Sequence, residues 1–189
     1  EDSFIVAFAG NLGSAQGLDP WIEAMAGMPP NSDVHLVMVG EGSEKPSLQQ
    51  RVLELGLSNV HFHPSVPSDA VADVLADADF LAISLADRPL FRITMPSKVQ
   101  ACLAQAKPVI AAVSGDTRSL LEEANAGWLA DPEDSSSIRE ALVQARAAGG
   151  SERSRRGVSG RVFYEQHMSM NVGAMAFADL VRAAVGEGS

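Results

Sequence analysis

A lysine near the start of a predicted helix is the side chain of this sequence best suited to bind an anion. Thr94 is a candidate N-cap, Pro96 suits the first turn, and we expect the helix to continue to about Gln105. Such a helix presents the free amides of Ser97 and Lys98, the positive end of its dipole and one ammonium group at one point. These groups together are typical of a diphosphate site. An ordinary capped helix with a surface lysine is the alternative interpretation.

The first apolar run of the chain leads directly into a glycine-rich loop at residues 10–18. Gly10, Gly13 and Gly17 let the backbone turn tightly and bring its N–H groups close to phosphate oxygens. The loop lacks the Gly-Lys-Ser/Thr ending of a Walker loop, and its glycine spacing departs from the dinucleotide fingerprint. The loop therefore indicates either contact with phosphate or only a tight connection.

A second glycine turn, at Gly40 and Gly42, follows the next apolar run. Both glycines permit close approach of the backbone to a ligand or to the neighbouring loop. Glu41, which stands between them, could accept hydrogen bonds, although a solvated loop carboxylate is the simpler interpretation.

The histidines and the cysteine give weaker evidence for a site. His61 and His63 alternate along a strand and share one face. No carboxylate or thiol stands at a recognisable ligand spacing from them, so a structural role or a place beside a nucleotide base is favoured over a metal site. His35, inside a strand, is interpreted as packing, and Cys102 as a small buried residue on a helix.

Composition excludes several classes of function. The net charge of −10 argues against non-specific nucleic-acid binding, which depends on neutralising phosphates with Lys and Arg. The single cysteine cannot form an internal disulfide, which fits a reducing compartment. No run of about 18 apolar residues is present to span a bilayer. The chain starts at Glu1 without a signal-peptide pattern and enters an apolar run at once, so we expect a piece of a longer protein.

Short apolar runs alternate with amphipathic stretches from the start of the chain to about residue 147, and these elements must position the candidate residues. Continuous apolar runs suit strands that are covered by helices on both faces. Strict alternation implies a parallel, doubly wound sheet with right-handed crossovers, whose ligands collect at the carboxyl ends of the strands. We therefore predict a Rossmann-like α/β domain over residues 1–150 with about six strands: Phe4–Ala9, Val34–Val39, Val60–His63, Phe80–Ser84, Pro108–Val113 and Gly127–Ala130.

Helical spacing of apolar residues predicts the faces that cover this sheet. Gly56 is a plausible C-cap, and Asp134 and Ser135 are plausible N-caps. The predicted faces are Leu48, Val52 and Leu55; Val71, Val74 and Leu75; Val99, Cys102, Leu103 and Ala106; and Ile138, Leu142 and Ala145.

The pattern changes in residues 151–189, for which we expect a C-terminal helical segment that packs on the sheet or reaches toward a missing domain. Residues 151–161 are polar and basic, and residues 162–185 are typical of a helix without an intervening strand. A basic cluster in this segment could touch an anionic membrane surface, although a solvated helical face is favoured. The cluster consists of Arg153, Arg155, Arg156 and Arg161.

Several of these segments resemble glycosyltransferase family 4. Residues 95–112, Met-Pro-Ser-Lys-Val-Gln-Ala-Cys-Leu-Ala-Gln-Ala-Lys-Pro-Val-Ile-Ala-Ala, look like the donor-site helix and following strand of that family. The likeness is strongest to bacterial surface-polysaccharide enzymes that transfer N-acetylated amino-deoxy sugars such as N-acetyl-fucosamine. Four further segments resemble the same group and keep the order of the family over residues 4–147: 10–18, 39–42, 60–64 and 127–132.

The resemblance implies one half of a GT-B glycosyltransferase, in which two Rossmann-like domains face a cleft and the second binds a nucleotide-diphosphate sugar. It implies a UDP-linked donor, retention of anomeric configuration, and neither a metal nor another cofactor, because helix dipoles and basic side chains stabilise the leaving diphosphate. The partner would be an acceptor-binding N-terminal domain of the same polypeptide. The full-length enzyme would be cytoplasmic, with peripheral association with the inner face of the cytoplasmic membrane as an option, and this half alone would be inactive.

No catalytic residue can be assigned from the resemblance, but a donor-binding set can. By the pattern of the family, the loop at 10–17 lies under the diphosphate, residues 62–64 flank the base, and the helix start faces the phosphates. The donor-binding residues implied are Gly10, Asn11, Gly13, Gln16, Gly17, Gly42, His63, Pro64, Arg92, Pro96, Ser97 and Lys98.

Two departures from the family pattern affect this assignment. Many members carry two glutamates eight positions apart, and the corresponding residues here are Ile93 and Ala101. Asn11 and Gln16 stand where a basic pair is often found, so the phosphate charge falls more heavily on Lys98. Since the second of these glutamates contacts the ribose in the family, the resemblance implies altered ribose recognition and altered donor binding in this chain.

Arg92 or Arg88 could help Lys98 to bind the phosphates. The missing glutamates leave open a second hypothesis, a non-catalytic nucleotide-binding or scaffold domain of the same fold. A third, an unrelated Rossmann-like nucleotide binder, is disfavoured by the absence of the dinucleotide fingerprint.

Overall fold

The computed structural model describes residues 3–67 and 70–186, and within these ranges six parallel strands form one sheet. The order across the sheet is β3-β2-β1-β4-β5-β6, which confirms the predicted Rossmann-like, doubly wound architecture. The strands are β1 (Phe4–Ala9), β2 (Val34–Val39), β3 (Val60–His63), β4 (Phe80–Ser84), β5 (Val109–Ala112) and β6 (Gly127–Ala130).

The strand order reverses beside β1. β1 pairs along its full length with β2, and on its other side it pairs with β4 through Val6 and Ala7. The first half of the chain therefore builds outward to β3, and the second half starts again at β4 and builds toward β6. A crevice forms outside the carboxyl ends of the strands at such a reversal, and ligands bind there in this class of sheet.

Helices cover both faces of the sheet. A short 3-10 turn at Ser14–Gln16 follows β1. The helices of the described residues are α1 (Asp19–Ala26), α2 (Lys45–Glu54), α3 (Val71–Ala76), α4 (Pro89–Arg92), α5 (Ser97–Leu103), α6 (Gly115–Glu123), α7 (Ser135–Ala147), α8 (Gly150–His167) and α9 (Met170–Gly186).

Each face of the sheet carries its own apolar core. On one face α1, α2 and α7 pack against the sheet around Phe8, Trp21 and Leu142, all of which are fully buried. On the other face α3, α5 and α6 pack around Leu81 and Leu103. Burial of continuous apolar strands on both sides explains why the strands contain few polar residues.

Most predicted helix faces and caps agree with the structure. Asp134 caps α7 by accepting hydrogen bonds from the backbone N–H groups of Ser136 and Ser137. Gly56 adopts a left-handed conformation (φ 64°) just after α2. The prediction for Ala106 was wrong, since this residue is exposed after the end of α5.

The polar stretch at 151–161 is itself helical and belongs to α8. Two glycines let this helix approach the body closely: a Cβ at Gly157 would meet the carbonyl of Ala106, and one at Gly160 would meet Leu103. Arg156 lies 4.5 Å above the ring of Trp128. These contacts hold α8 against the β6 side of the sheet. The polar stretch therefore packs against the rest of the domain.

Helix α9 makes its main packing contact with α8. Several of its large apolar side chains are exposed, among them Met170, Phe177 and Leu180 at 87%, 69% and 69% of full accessibility. Among the described residues, no helix combines the length and the apolar character that crossing a membrane requires.

Candidate functional site

Two adjoining cavities lie at the carboxyl ends of β1 and β2, on the side from which α3 and α5 approach. We call them together the groove. Their volumes are about 250 and 460 Å³. They share the lining residues Ala9, Gly10, Asn11 and Val71.

The two ends of the groove differ in charge. The smaller cavity, which we call the carboxylate end, is lined by Glu41 together with Val39, Gly40, Ser65 and Val66. The larger cavity, which we call the lysine end, is lined by Ala7, Leu75, Ser97, Lys98, Ala101 and Cys102. An elongated ligand with an anionic group at one end and hydroxyl groups at the other matches this polarity.

Lys98 reaches back from α5 across the end of β1. Its Nζ lies 3.4 Å from the ring centroid of Phe8 and donates a hydrogen bond of 3.1 Å to Oε1 of Gln16. A surface lysine was the alternative from sequence, but the ammonium is largely buried, and burial lowers the pKa of Lys98 to about 8. No carboxylate among the described residues forms an ion pair with it, so its charge is available to an anion.

Gly10 and Gly40 allow the loops around the groove to come together. Gly10 has a φ of 147°, and a Cβ there would lie 2.8 Å from the Nζ of Lys98. Gly40 has a φ of 154°, and a Cβ there would overlap the carbonyl oxygen of Gly10. A side chain at either position would close the groove or separate the loops.

Gly13, Gly17 and Gly42, the other glycines predicted to bind the donor, are not among the residues that line the two cavities. A Cβ at Gly13 would meet the side chain of Asn11, and one at Gly42 would meet the backbone of Leu12. Gly17 is left-handed (φ 59°). These residues shape the backbone under the groove, and Gly10 is the glycine of this loop that lines it.

Lys45 joins the second glycine turn to the end of β3. Its Nζ donates to the carbonyl oxygens of Gly40 and His63 at 2.9 and 3.3 Å, and it pairs with Oε1 of Glu41 at 2.7 Å. The backbone N–H of Leu12 also binds the carbonyl oxygen of Glu41 at 2.8 Å. This network fixes both glycine loops relative to β3.

His63 and Pro64 lie beside the groove. They line a third cavity of about 260 Å³, which shares Val39 and Val66 with the carboxylate end. The resemblance implies that these two residues lie beside the nucleotide base. In the structure their cavity adjoins the groove, because Val39 and Val66 line both.

Arg92 does not line the groove. Its Nε and Nη2 each bind one oxygen of Asp87 at 2.7 Å. This pair, with a further bond from the hydroxyl of Ser114, lowers the pKa of Asp87 to about 2. The guanidinium of Arg92 thereby fixes the loop before α5. Arg88 lies near the ring of Phe91 and does not line the groove.

The start of α5 differs from the predicted cap. Pro96 is the N-cap with extended backbone (φ −65°, ψ 139°), and the helix ends at Leu103 instead of continuing to about Gln105. The hydroxyl of Thr94 binds the carbonyl of Leu90 instead of capping α5. A helix of seven residues has a small dipole, so the electrostatics of the lysine end depend chiefly on Lys98.

The other candidates take structural roles. Nδ1 of His35 and Nε2 of His61 lie 3.0 Å apart, and burial together with the nearby histidines lowers the pKa of His61. Burial raises the pKa of the Cys102 thiol to about 12, which leaves the thiol protonated. Residues 3–67 and 70–186 contain no cluster of three or more metal-ligating side chains.

Some residues that line the groove escaped the sequence reasoning. Ala9, Ser65, Val66 and Val71 lie at or just after strand ends, or at the first residue of a covering helix. Their positions after apolar runs were the available signal, but small and apolar side chains carry no chemistry of their own to mark them.

A protein-family model matches more than half of this chain. The family model described as "Glycosyl transferases group 1" matches residues 3–147, which include every strand and every residue that lines the groove. No curated protein sequence gives a significant match to this chain.

Solved structures share the fold at low sequence identity. The Anabaena protein HepE in complex with UDP superposes with a TM-score of 0.81 and 22% identity, covering 96% of this chain and 49% of that one. Sucrose-phosphate synthase from Thermosynechococcus elongatus gives 0.83 and 20%, covering 99% and 47%. The C-terminal domain of a glycosyl transferase group 1 family protein from Francisella tularensis gives 0.73 and 18%, covering 88% and 87%. The chain thus spans about half the length of the first two.

Proposed function

We propose that this chain, which belongs to the glycosyl transferases group 1 family, binds the donor of a metal-independent, retaining glycosyltransferase that uses a UDP-linked sugar. The observation that carries the proposal is Lys98, an ammonium without a carboxylate partner among the described residues, at one end of a groove under two glycine loops. HepE, which shares the fold, has been solved with UDP and with UDP-glucose.

The diphosphate is proposed to bind at the lysine end of the groove. Lys98 supplies a positive charge there, and hydrogen bonds to charged groups contribute about 1.5–3 kcal/mol each. The hydroxyl of Ser97 and the amide of Asn11 line the same cavity and can donate to phosphate oxygens. These groups take the place of a divalent cation, which supports binding without a metal.

The acceptor is proposed to bind to an N-terminal domain of the same polypeptide. HepE and sucrose-phosphate synthase, which share this fold over nearly the whole chain, are about twice as long. The exposed apolar side chains of α9 offer a surface against which such a domain can pack. Burial of Phe177 and Leu180 there would stabilise the assembly by about 1.5–3 kcal/mol per side chain.

The biological role is proposed from the resemblance of the loop and helix motifs. It is transfer of an N-acetylated amino-deoxy sugar during synthesis of bacterial surface polysaccharide, by a cytoplasmic enzyme that can associate with the inner face of the membrane. Screening UDP-linked sugars for tighter binding than UDP alone tests the sugar class, and preference for an unrelated sugar would contradict it.

A second candidate function is a non-catalytic nucleotide-binding domain. Ala101 favours it, because its methyl group lines the groove where many relatives place a carboxylate. A complete protein that binds UDP but transfers no sugar would support this candidate over the enzyme.

Calorimetric titration of the chain with UDP, in the presence and absence of a chelator, tests the donor site. We expect equal affinity in both conditions and much weaker binding of uridine. A strict requirement for Mg²⁺ or Mn²⁺ would overturn the metal-independent site, and equal affinity for uridine would overturn the diphosphate assignment.

A further inference from the structure

The three lysines of the chain differ in the groups that bind their ammonium. Lys45 pairs with the carboxylate of Glu41, and Lys107 donates to two backbone carbonyls. The Nζ of Lys98 has one hydrogen-bond partner among the described residues, the neutral amide oxygen of Gln16. The ammonium of Lys98 can therefore lose a proton without breaking an ion pair.

The surroundings of Lys98 favour a reactive amine that small molecules can reach. Lys98 lines the larger cavity of the groove, which has a volume of about 460 Å³. Burial lowers the pKa of Lys98 to about 8. About half of this amine is therefore neutral at pH 8, against less than about 1% of an ordinary exposed lysine. The neutral form has the lone pair that attacks a carbonyl carbon.

The same cavity offers hydrogen-bond donors to an anion. The hydroxyl of Ser97 and the side-chain amide of Asn11 line it, and none of the described residues that line it is a carboxylate. Cys102 also lines the cavity, but burial raises the pKa of its thiol to about 12, so the thiol stays protonated. A small reagent that carries both a phosphate group and an electrophilic carbonyl therefore meets phosphate donors beside an amine.

We propose that Lys98 is an acylation site, at which acyl phosphates transfer their acyl group to Nζ and thereby switch off the binding of nucleotide diphosphates. The inference rests on the proposed function, which places the diphosphate at this ammonium.

The transfer balances without a further reactant. The ammonium first loses one proton to solvent, and the lone pair of Nζ then attacks the carbonyl carbon. The C–N bond forms, and the bond from that carbon to the phosphate oxygen breaks. Inorganic phosphate leaves with the electron pair of that bond and takes a second proton from the nitrogen. The amide that remains carries no charge, so the groove loses its cation.

The experiment treats the chain with acetyl phosphate at pH 8 and measures the acetylation rate of each lysine by peptide mapping with mass spectrometry. We expect Lys98 to react about tenfold faster than Lys45 or Lys107, because a larger fraction of its amine is neutral. Saturating UDP should slow the reaction of Lys98 and leave that of Lys107 unchanged. Acetic anhydride, which has no phosphate, is the matched reagent and should show a smaller preference for Lys98.

Calorimetry then measures the effect of acetylation on the groove. Protein acetylated at Lys98 should bind UDP about 10- to 100-fold more weakly than untreated protein. Lys98→Arg keeps a cation and has no amine to acylate, so the same treatment should leave its UDP affinity unchanged.

Three results would overturn the proposal: equal acetylation rates at the three lysines, the same preference for Lys98 with acetic anhydride as with acetyl phosphate, or full UDP affinity after acetylation of Lys98. Failure of the untreated protein to bind UDP would instead overturn the proposed function, since the acetylation rates in the absence of UDP test the reaction at Lys98 by themselves.

Discussion

Replacing Lys98 with methionine removes the cation from the groove while keeping the length of the side chain. Methionine can still pack on Phe8, so the change isolates the ammonium and its bond to Gln16. We expect the variant to bind UDP about 10- to 100-fold more weakly, which corresponds to the loss of one charge-assisted hydrogen bond. Uridine, which has no phosphate, should bind equally to both proteins.

The pKa of Lys98 gives this effect a characteristic pH dependence. With a pKa of about 8, the amine is mostly protonated at pH 7 and mostly neutral at pH 9. The terminal phosphate of UDP is already ionised above about pH 7. UDP affinity of the unchanged protein should therefore fall about tenfold between pH 7 and pH 9, whereas that of Lys98→Met should stay nearly constant.

The free energy of unfolding should rise with pH, whereas the UDP affinity should fall. Since burial places the folded-state pKa of Lys98 below its unfolded value, the unfolded chain binds more protons between about pH 8 and pH 10.5. The free energy of unfolding of the unchanged protein should rise relative to Lys98→Met over this interval. At pH 7 the variant should be as stable as the unchanged protein or more so, because it no longer buries a charge.

Isothermal titration from pH 7 to pH 9 and urea unfolding from pH 7 to pH 10 measure these effects. Lys107→Met is the control for overall charge, because Lys107 binds the carbonyls of Ala76 and Ala78 away from the groove. The reasoning is refuted if Lys98→Met leaves UDP affinity unchanged at pH 7, or if it weakens uridine as much as UDP. An equal loss of UDP affinity in Lys107→Met would attribute the effect to net charge.

Three further outcomes are expected. Gly40→Ala should lower the free energy of unfolding, measured in urea, by about 3 kcal/mol, because the new Cβ would overlap the carbonyl of Gly10 and the residue has a positive φ. Gly149→Ala is the control and should change stability little, because the space around Gly149 is open. Arg92→Met should leave UDP affinity within about twofold in the same titration, since Asp87 holds this guanidinium outside the groove; a tenfold loss would return Arg92 to the donor site. The chain alone should bind UDP yet transfer no sugar from UDP-sugars to added acceptors, and robust transfer would contradict the need for a second domain.

Strand positions could be read from the sequence because a buried parallel strand must be continuously apolar. Five strands have the predicted bounds. The fifth is shorter than predicted by one residue at each end, at Pro108 and Val113. Pro108 has no N–H to contribute to the ladder, although its carbonyl still accepts from Leu81.

The C-terminal segment was harder to interpret from the sequence, because the apolar residues of α8 do not recur with a clear helical period. Gly157 and Gly160 weaken an isolated helix but allow α8 to approach the backbone of Ala106 and Ala126. Pairs such as Arg156 with Glu152, four residues apart, add local support. Tertiary packing and these local pairs therefore support the helix through its polar, basic stretch.

Some features of the groove are visible in the local sequence, whereas others depend on contacts between residues far apart in the chain. Glycine loops and a lysine after strand ends are local features, and the topology of the sheet brings them together. Gln16 and Lys98, by contrast, are 82 positions apart, and the sequence does not reveal that they bind each other. Nor does it reveal that Asp87 binds Arg92, because the partners of such polar surface residues depend on side-chain geometry.

The acidic net charge of the chain is compatible with an anionic ligand, because the electrostatic potential in the groove depends mainly on the nearest charges. At physiological ionic strength, exposed charges more than about 8 Å apart are largely screened, while partly buried ones are screened less. Lys98 is partly buried and has no carboxylate partner among the described residues, so its charge is screened less than that of an exposed lysine. Glu41, the acidic residue at the other end, is offset by Lys45 at 2.7 Å. Under the proposed function, a diphosphate would be attracted to the lysine end of the groove and would meet a compensated charge at the other end, so these charges would orient the nucleotide.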